Sequence, residues 1–247
     1  MKKYKLAGFD ELMTIDNIKK IQREGRYTSL HKQIVKICTG RRILDIGCGL
    51  GSFAMVLAQN LPDSEIIGVD DSDDQIEVAR ELYKSTPNLT FGAMNAQELK
   101  FDTQEFDCAC FLEVIEHLED PVKALKEIYR ILKPGAKLIL STNNVYYWRF
   151  FLRQIICDIL RKEPKLMIHH QEKWGKHLFA WDISTLCTLL NHEGFSYCSH
   201  FYVGRFGLYS DKIILSRWFD ALFAIILPFF RTTTVVILEK MEDCQYG

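Results

Sequence analysis

Arg42-Ile43-Leu44-Asp45-Ile46-Gly47-Cys48-Gly49-Leu50-Gly51-Ser52-Phe53-Ala54 is the stretch from which the rest of the chain can be read. A short, branched apolar run ends close to an acid and then breaks into glycines at alternate positions. Arg42 to Ile46 reads as a buried parallel strand. Ser52 to Asn60, with good helix formers and apolar residues three to four apart, reads as the helix behind it. Glycines 47, 49 and 51 permit positive φ and let a ligand approach the backbone without meeting a Cβ. Free amides at the start of the helix face the same space. Asp45 is the informative residue, because a carboxylate at the end of an apolar strand is costly unless it is hydrogen-bonded or neutralised by a cation. A dinucleotide-binding turn would want glycine or alanine at Ser52 and usually has no acid at position 45. The turn therefore suits a ligand with a positive end better than a pyrophosphate.

Working outward, Glu65 to Asp70 reads as a second buried strand that also ends in an acid. Asp70 lies one β-α-β step past Asp45, where a carboxylate accepts hydrogen bonds from both hydroxyls of a ribose. Asp71 is either a second ligand or the turn into the next helix, with Ser72 as N-cap of Asp73 to Tyr83; the capping account is favoured. Leu89 to Met94 is the third strand, followed by Asn95 and Ala96. Phe106 to Leu112 is the fourth, a near-continuous apolar run of the kind covered on both faces. An amphipathic helix, Val122 to Leu132, starts at Pro121 and is stopped by Lys133-Pro134-Gly135. Ala136 to Ser141 is the fifth strand, residues 183 to 194 a late helix with its glycine stop, and Phe195 to Val203 and Thr232 to Leu238 the last two strands. Strands alternating with helices, then a late antiparallel hairpin, predict an α/β fold: a doubly wound, mostly parallel, seven-stranded sheet.

The motif Asp45-Ile46-Gly47-Cys48-Gly49-Leu50-Gly51 resembles motif I of the class I S-adenosylmethionine-dependent methyltransferases, which have a Rossmann-like fold. Glu113-Val114-Ile115-Glu116-His117-Leu118-Glu119-Asp120-Pro121 resembles the E-V-x-E-H-x-x-D-P signature of one group of them, which includes quinone-precursor and many small-molecule enzymes. Arg130 to Leu138 resembles that group's R-x-L-K-P-G-G-x-L, with Ala136 in place of the second glycine. The resemblance implies S-adenosylmethionine as cofactor, with Gly47 and Gly49 shaping its methionine end and Asp45 beneath the ammonium group, directly or through water. It puts Asp70 at the ribose, Asn95 and Ala96 at the adenine edge, and Glu113 with them in the cofactor set. Asn95 stands where Asp is commoner; it can still accept from an exocyclic amine, and a simple turn role explains it equally well. The segment after the fourth strand would line the pocket where methyl donor and acceptor meet. His117 is the candidate general base there, since histidine changes protonation near neutral pH. The competing account has His117 cap or pack the turn before Pro121, with Glu116, Glu119 and Asp120 favouring its charged form.

The 247 residues, 48% hydrophobic with a formal net charge of -1, suit one domain with a full-sized core and give no global basic footprint for nucleic acid. Residues 1–40 are read as an N-terminal helical cap, with a helix from about Asp16 to Ile37 broken near Gly25. Tyr27 and His31 there either face the cofactor or are ordinary packing positions. Residues 41–145 are the cofactor-binding core, and 146–247 carry acceptor-side insertions and the last strands of the same domain. The eight cysteines are scattered without a C-x-x-C pair, and His169, His170 and His177 lack a paired helical spacing, so no metal site is expected. No apolar h-region follows the first lysines, and the expectation is a cytoplasmic protein. Two aromatic, arginine-flanked stretches, 146–161 and 217–231, are too short to span a bilayer. They read as a substrate lid, or as a peripheral contact with membrane, lipid-like acceptor or another subunit. His177, Phe179, Trp181 and Asp182 form an acceptor-pocket wall or pack plainly. Methyl transfer to a small-molecule or amphipathic acceptor is the leading function. The alternatives are a non-catalytic binding module of the same fold and an NAD-dependent oxidoreductase, the latter disfavoured by Asp45 and Ser52.

Overall fold

The computed structural model describes residues 3–4, 13–14, 29–147, 155–161, 178–203 and 233–242. Among them, β1 (Lys3–Tyr4) and β2 (Met13–Thr14) form a small antiparallel pair, and α1 (Ser29–Val35) is the described part of the expected N-terminal helix. Its earlier residues, with Tyr27, lie outside the described region, as do His169, His170, His177 and the stretch 217–231.

The core follows as β3 (Arg42–Ile46), α2 (Ser52–Asn60), β4 (Glu65–Asp70), α3 (Asp73–Tyr83), β5 (Leu89–Ala93) and β6 (Phe106–Leu112). After a 3₁₀ turn at Ile115–His117 come α4 (Pro121–Ile131), β7 (Leu132–Asn143), α5 (Ile183–His192), β8 (Phe195–Val203) and β9 (Thr233–Lys240). The seven-stranded sheet has the order β5-β4-β3-β6-β7-β9-β8. It is parallel from β5 to β7 and antiparallel at the β7–β9 and β8–β9 pairs. This is the expected mostly parallel, doubly wound sheet with its late hairpin.

Several boundaries shift by one or two residues from the sequence reading, and the start of β7 shifts by four. Lys133-Pro134-Gly135 does end α4, but it already belongs to β7, which begins at Leu132 rather than Ala136. A residue before proline is driven to extended backbone, and Leu132 itself is extended at φ -77, ψ 141. The resulting slippage appears as a register shift against β6 between Phe106 and Cys108.

Two apolar layers sandwich the sheet. On one face Leu44, Ile46, Ala109 and Phe111 pack with α4 and α5 through Leu125, Ile128, Leu186 and Leu190. On the other, Ile43, Cys108 and Cys110 pack with α1 and α2 through Ile34, Phe53 and Leu57. The chain reverses its winding between adjacent β3 and β6, so a crevice opens at their carboxyl ends, where ligands of such sheets bind.

Candidate active site

At that crevice the glycine turn is locked to β4, with the Gly47 and Cys48 N–H groups both donating to the Val69 carbonyl at 2.7 and 2.9 Å. Gly47, Gly49 and Gly51 all have positive φ, at 73°, 54° and 74°. Their needs differ. A Cβ on Gly47 would overlap the Val114 side chain, and one on Gly51 would come within 2.5 Å of the Phe91 ring, so both are packed against protein. A Cβ on Gly49 would meet only the Gln75 Oε1, at 3.3 Å, which leaves its face as the open cradle for a ligand.

Asp45 is 3% exposed, and its Oδ2 has no hydrogen-bond partner among the described residues. Burial first, then the neighbouring Asp70 charge, raise its pKa to about 8 against a small opposing effect from the Ala54 N–H. An orphaned, buried carboxylate oxygen is what a cationic group on a ligand would neutralise. The geometry thus fits the ammonium end of S-adenosylmethionine.

Asp70 ends β4 with each carboxylate oxygen holding one backbone amide: Oδ2 accepts from Gly49 N–H at 2.8 Å and Oδ1 from Ser72 N–H at 3.0 Å. Burial raises its pKa despite those two bonds. Each oxygen keeps a second lone pair, so the carboxylate is oriented and still able to accept from a diol. Ser72 caps α3 through the Gln75 N–H at 3.4 Å, as read from the sequence.

Asn95 is exposed after β5, and its Oδ1 accepts from the Gln97 N–H at 2.8 Å. The side-chain carbonyl thus serves its own turn, while its second lone pair can still accept from an exocyclic amine, so both readings of Asn95 stand. Ala96 follows, half-buried, and packs against the core beneath α4.

Beyond β6, Glu113 has φ 56°, rare and strained for a residue with a side chain. Its N–H donates to the Ser141 carbonyl at 3.0 Å, and its Oε1 accepts from Ser141 Oγ at 2.9 Å. Burial lifts its pKa to about 7. His117 closes the 3₁₀ turn, half-buried, donating its N–H to the Val114 carbonyl at 2.9 Å. The structure thus gathers Asp45, Gly47, Gly49, Asp70 and Glu113 at the carboxyl ends of β3, β4 and β6. Asn95 and Ala96 follow β5 at the same end, and His117 closes the turn that follows β6.

Sequence reasoning gave Glu116 no role beyond its place in the signature and beside His117. It is 1% exposed, accepts from Thr142 Oγ1 at 3.1 Å and Asn143 Nδ2 at 3.2 Å, and burial followed by the Glu113 charge raises its pKa to about 8. Its carbonyl also accepts from the Leu178 and Phe179 N–H groups, at 2.7 and 3.3 Å. Glu116 therefore ties the segment before α5 to the end of the fourth parallel strand. Phe179 stacks on Trp181 at 5.4 Å, and the Trp181 Nε1 is buried without a partner among the described residues. Asp182, read either as part of the same wall or as plain packing, is the N-cap of α5, accepting from the Ser184 and Thr185 N–H groups at 2.9 and 3.0 Å. An Asp immediately before an apolar-periodic run carried that signal.

Residues 44–140 match the family model described as methyltransferase domain. A ubiquinone biosynthesis O-methyltransferase from Coxiella burnetii is 34% identical over 64% of this chain and 68% of its own length. An O-methyltransferase from Aspergillus nomiae is 38% identical over 41% of this chain and 46% of its own. The chain spans about half the length of the first curated relatives that it matches, with shares of 39%, 46% and 60%. Among solved structures, a putative methyltransferase from Haloferax volcanii, in complex with the Trm112 methyltransferase activator, superposes with a TM-score of 0.65 at 19% identity. That match covers 91% of this chain and 93% of the other, and it shows the shared fold.

Proposed function

Because the chain belongs to the class I S-adenosylmethionine-dependent methyltransferases, we propose that it transfers a methyl group to an O, N or C atom of a small-molecule or amphipathic, lipid-like acceptor. The observation that carries this reading is the unpartnered Asp45 Oδ2 with the Asp70 charge near it, where Asp70 is held by the N–H of Gly49, the glycine whose face is open. When bound, S-adenosylmethionine supplies an electrophilic methyl on a sulfonium. Asp45 would hold its ammonium, Gly47 and Gly49 the methionine backbone, Asp70 the ribose hydroxyls, and Asn95 with Ala96 the adenine edge. Glu113 supports the turn through Ser141. What the protein adds is mainly alignment of two reactants, worth up to about 7 to 11 kcal/mol in favourable intramolecular models.

The acceptor would sit between the 113–117 segment and Phe179 and Trp181, which Glu116 holds together. The unpartnered Trp181 Nε1 offers a donor to an acceptor oxygen. His117 is the proposed general base, taking the acceptor's proton as the methyl bond forms, a contribution of typically 10²- to 10⁴-fold. Kinship to O-methyltransferases and to quinone methyltransferases supports a ring-bearing or amphipathic small molecule.

The same reading covers location: a cytoplasmic protein in reversible contact with membrane or lipid through 146–161 and 217–231. Among the described residues no helix is long and apolar enough to cross a membrane. In the described part of the first stretch Ile156, Ile159 and Leu160 are 46%, 73% and 55% exposed. Apolar residues presented in this way suit an interface. Flotation with anionic liposomes at low salt should carry the protein upward; no flotation would return the stretch to a lid.

The direct test is calorimetry with S-adenosylhomocysteine, where wild type binds and Asp70→Ala binds at least tenfold more weakly. Binding of NADH in place of S-adenosylhomocysteine would overturn the assignment. Single-turnover methyl transfer with His117→Ala should fall about 10²-fold with cofactor affinity intact; transfer within a few-fold of wild type would make His117 structural.

A further inference from the structure

Three cysteines that are far apart or unpaired in the sequence meet inside the core. Cys108 and Cys110 project from the same face of β6, and Cys38 reaches them from the turn between α1 and β3. Their relative exposures are 0%, 0% and 2%, and all three sulfurs lie within 4.8 Å of one another. The Cys38 and Cys110 sulfurs are 3.5 Å apart. Three sulfurs bound at about 2.3 Å to one centre would stand about 4 Å from each other, so the cluster already has the span of a three-coordinate thiolate site.

The surroundings select the ion. Among the described residues no histidine nitrogen or carboxylate oxygen joins the three sulfurs within that 4.8 Å span, although Asp45 stands beside Cys110 in the β3–β6 register. Zinc closes a structural site with four ligands, whereas soft thiolates alone suit copper(I). Lys137 stands directly across from Cys108 in the β6–β7 register and offsets negative charge on the cluster. The cover is thin on one side: Cys38 is a buried residue in a run whose Lys36, Thr39, Gly40 and Arg41 are exposed.

We propose that Cys38, Cys108 and Cys110 form a binding site for a soft monovalent metal ion, copper(I), held by sulfur alone. Each coordinating thiol gives its proton to water, and no electron is transferred. The cluster adjoins the cofactor turn, because Cys110 pairs with Asp45 across β3 and β6.

The test uses the full chain with Cys48, Cys157, Cys187, Cys198 and Cys244 all changed to Ser, titrated anaerobically with copper(I) against a chromogenic chelator. One copper per chain, with sulfur-to-copper absorption in the near ultraviolet and a raised Tm, is expected. Cys108→Ala in that background keeps the core apolar and should weaken copper retention at least tenfold with unchanged circular dichroism; Cys38→Ala should do the same. The proposal fails if the five-fold variant holds no copper while folded. It also fails if either alanine variant binds as tightly, or if zinc binds in preference to copper. If the five-fold variant does not fold, the same titration of wild type against the Cys38→Ala, Cys108→Ala pair decides, and equal stoichiometry in the two overturns the site.

Discussion

Asp45 is under two opposed demands, since the fold buries it and a cationic ligand needs it ionised. Its pKa of about 8 means that the ligand-free chain binds a proton there that the unfolded chain, with an ordinary carboxyl, has released by neutral pH. Stability associated with Asp45 is therefore greatest below about pH 4 and falls as the pH rises towards 8. Glu113, at about 7, and Glu116, at about 8, push in the same direction. Denaturant midpoints of Asp45→Asn should accordingly vary less between pH 5 and 8 than those of wild type. Placing an ammonium beside Asp45 reverses the preference, so S-adenosylhomocysteine binding at pH 7 should release close to one proton and tighten from pH 6 to 8. Calorimetry in buffers of different ionisation heat reads that proton directly, and a pH-independent affinity would show that Asp45 is already ionised. That Asp45, Gly47, Gly49 and Asp70 meet at the carboxyl ends of β3 and β4 was legible in sequence, because each acid follows an apolar run and the glycines mark the turn between strand and helix. The separate tasks of those glycines were not legible, since Gly47 answers to Val114 and Gly51 to Phe91, contacts made only by the folded chain.

Asp182 shows how an element's start can look like a functional residue. Its carboxylate takes two amides of α5 and the Thr185 hydroxyl, and these bonds hold its pKa below the usual carboxylate range, led by the hydroxyl. Asp182→Ala should lower stability by about 1 kcal/mol, the typical worth of such a cap. A carboxyl held low stabilises above its unfolded pKa and loses that effect as the pH falls through the folded one. The difference between variant and wild type in urea midpoint should therefore shrink below about pH 4. A loss of methyl transfer without loss of stability would restore Asp182 to the acceptor wall. Helices α2, α3 and α4 were legible from periodicity and from Ser72 and Pro121. The start of β7 was not, because Lys133-Pro134-Gly135 looks like a terminator until β6 is seen beside it.

At the scale of the molecule, seven strands and their two layers could be read from alternating strand and helix patterns, with the final pair assigned as a hairpin. Less accessible was how three cysteines would converge, for Cys38 approaches β6 only through the packing of α1 and its turn. The order of the sheet places β9 between β7 and β8, with seven register pairs from Lys137–Glu239 to Asn143–Thr233. Removing residues after Val203 should therefore leave both flanking strands without their shared partner, and cooperative urea unfolding should be lost. A truncated chain that still unfolds in one sharp transition would show that the 42–143 half stands alone. The same arrangement sets a clock on synthesis. Between the end of β7 at Asn143 and the start of β9 at Thr233, translation at about 5–20 residues per second takes roughly 5–20 s. Throughout that interval the outer edge of β7 is an open row of amides and carbonyls on a nascent chain, a template for any other strand. The hazard for this protein then falls during its making, and slower decoding between β7 and β9 would lower its soluble yield without altering one residue.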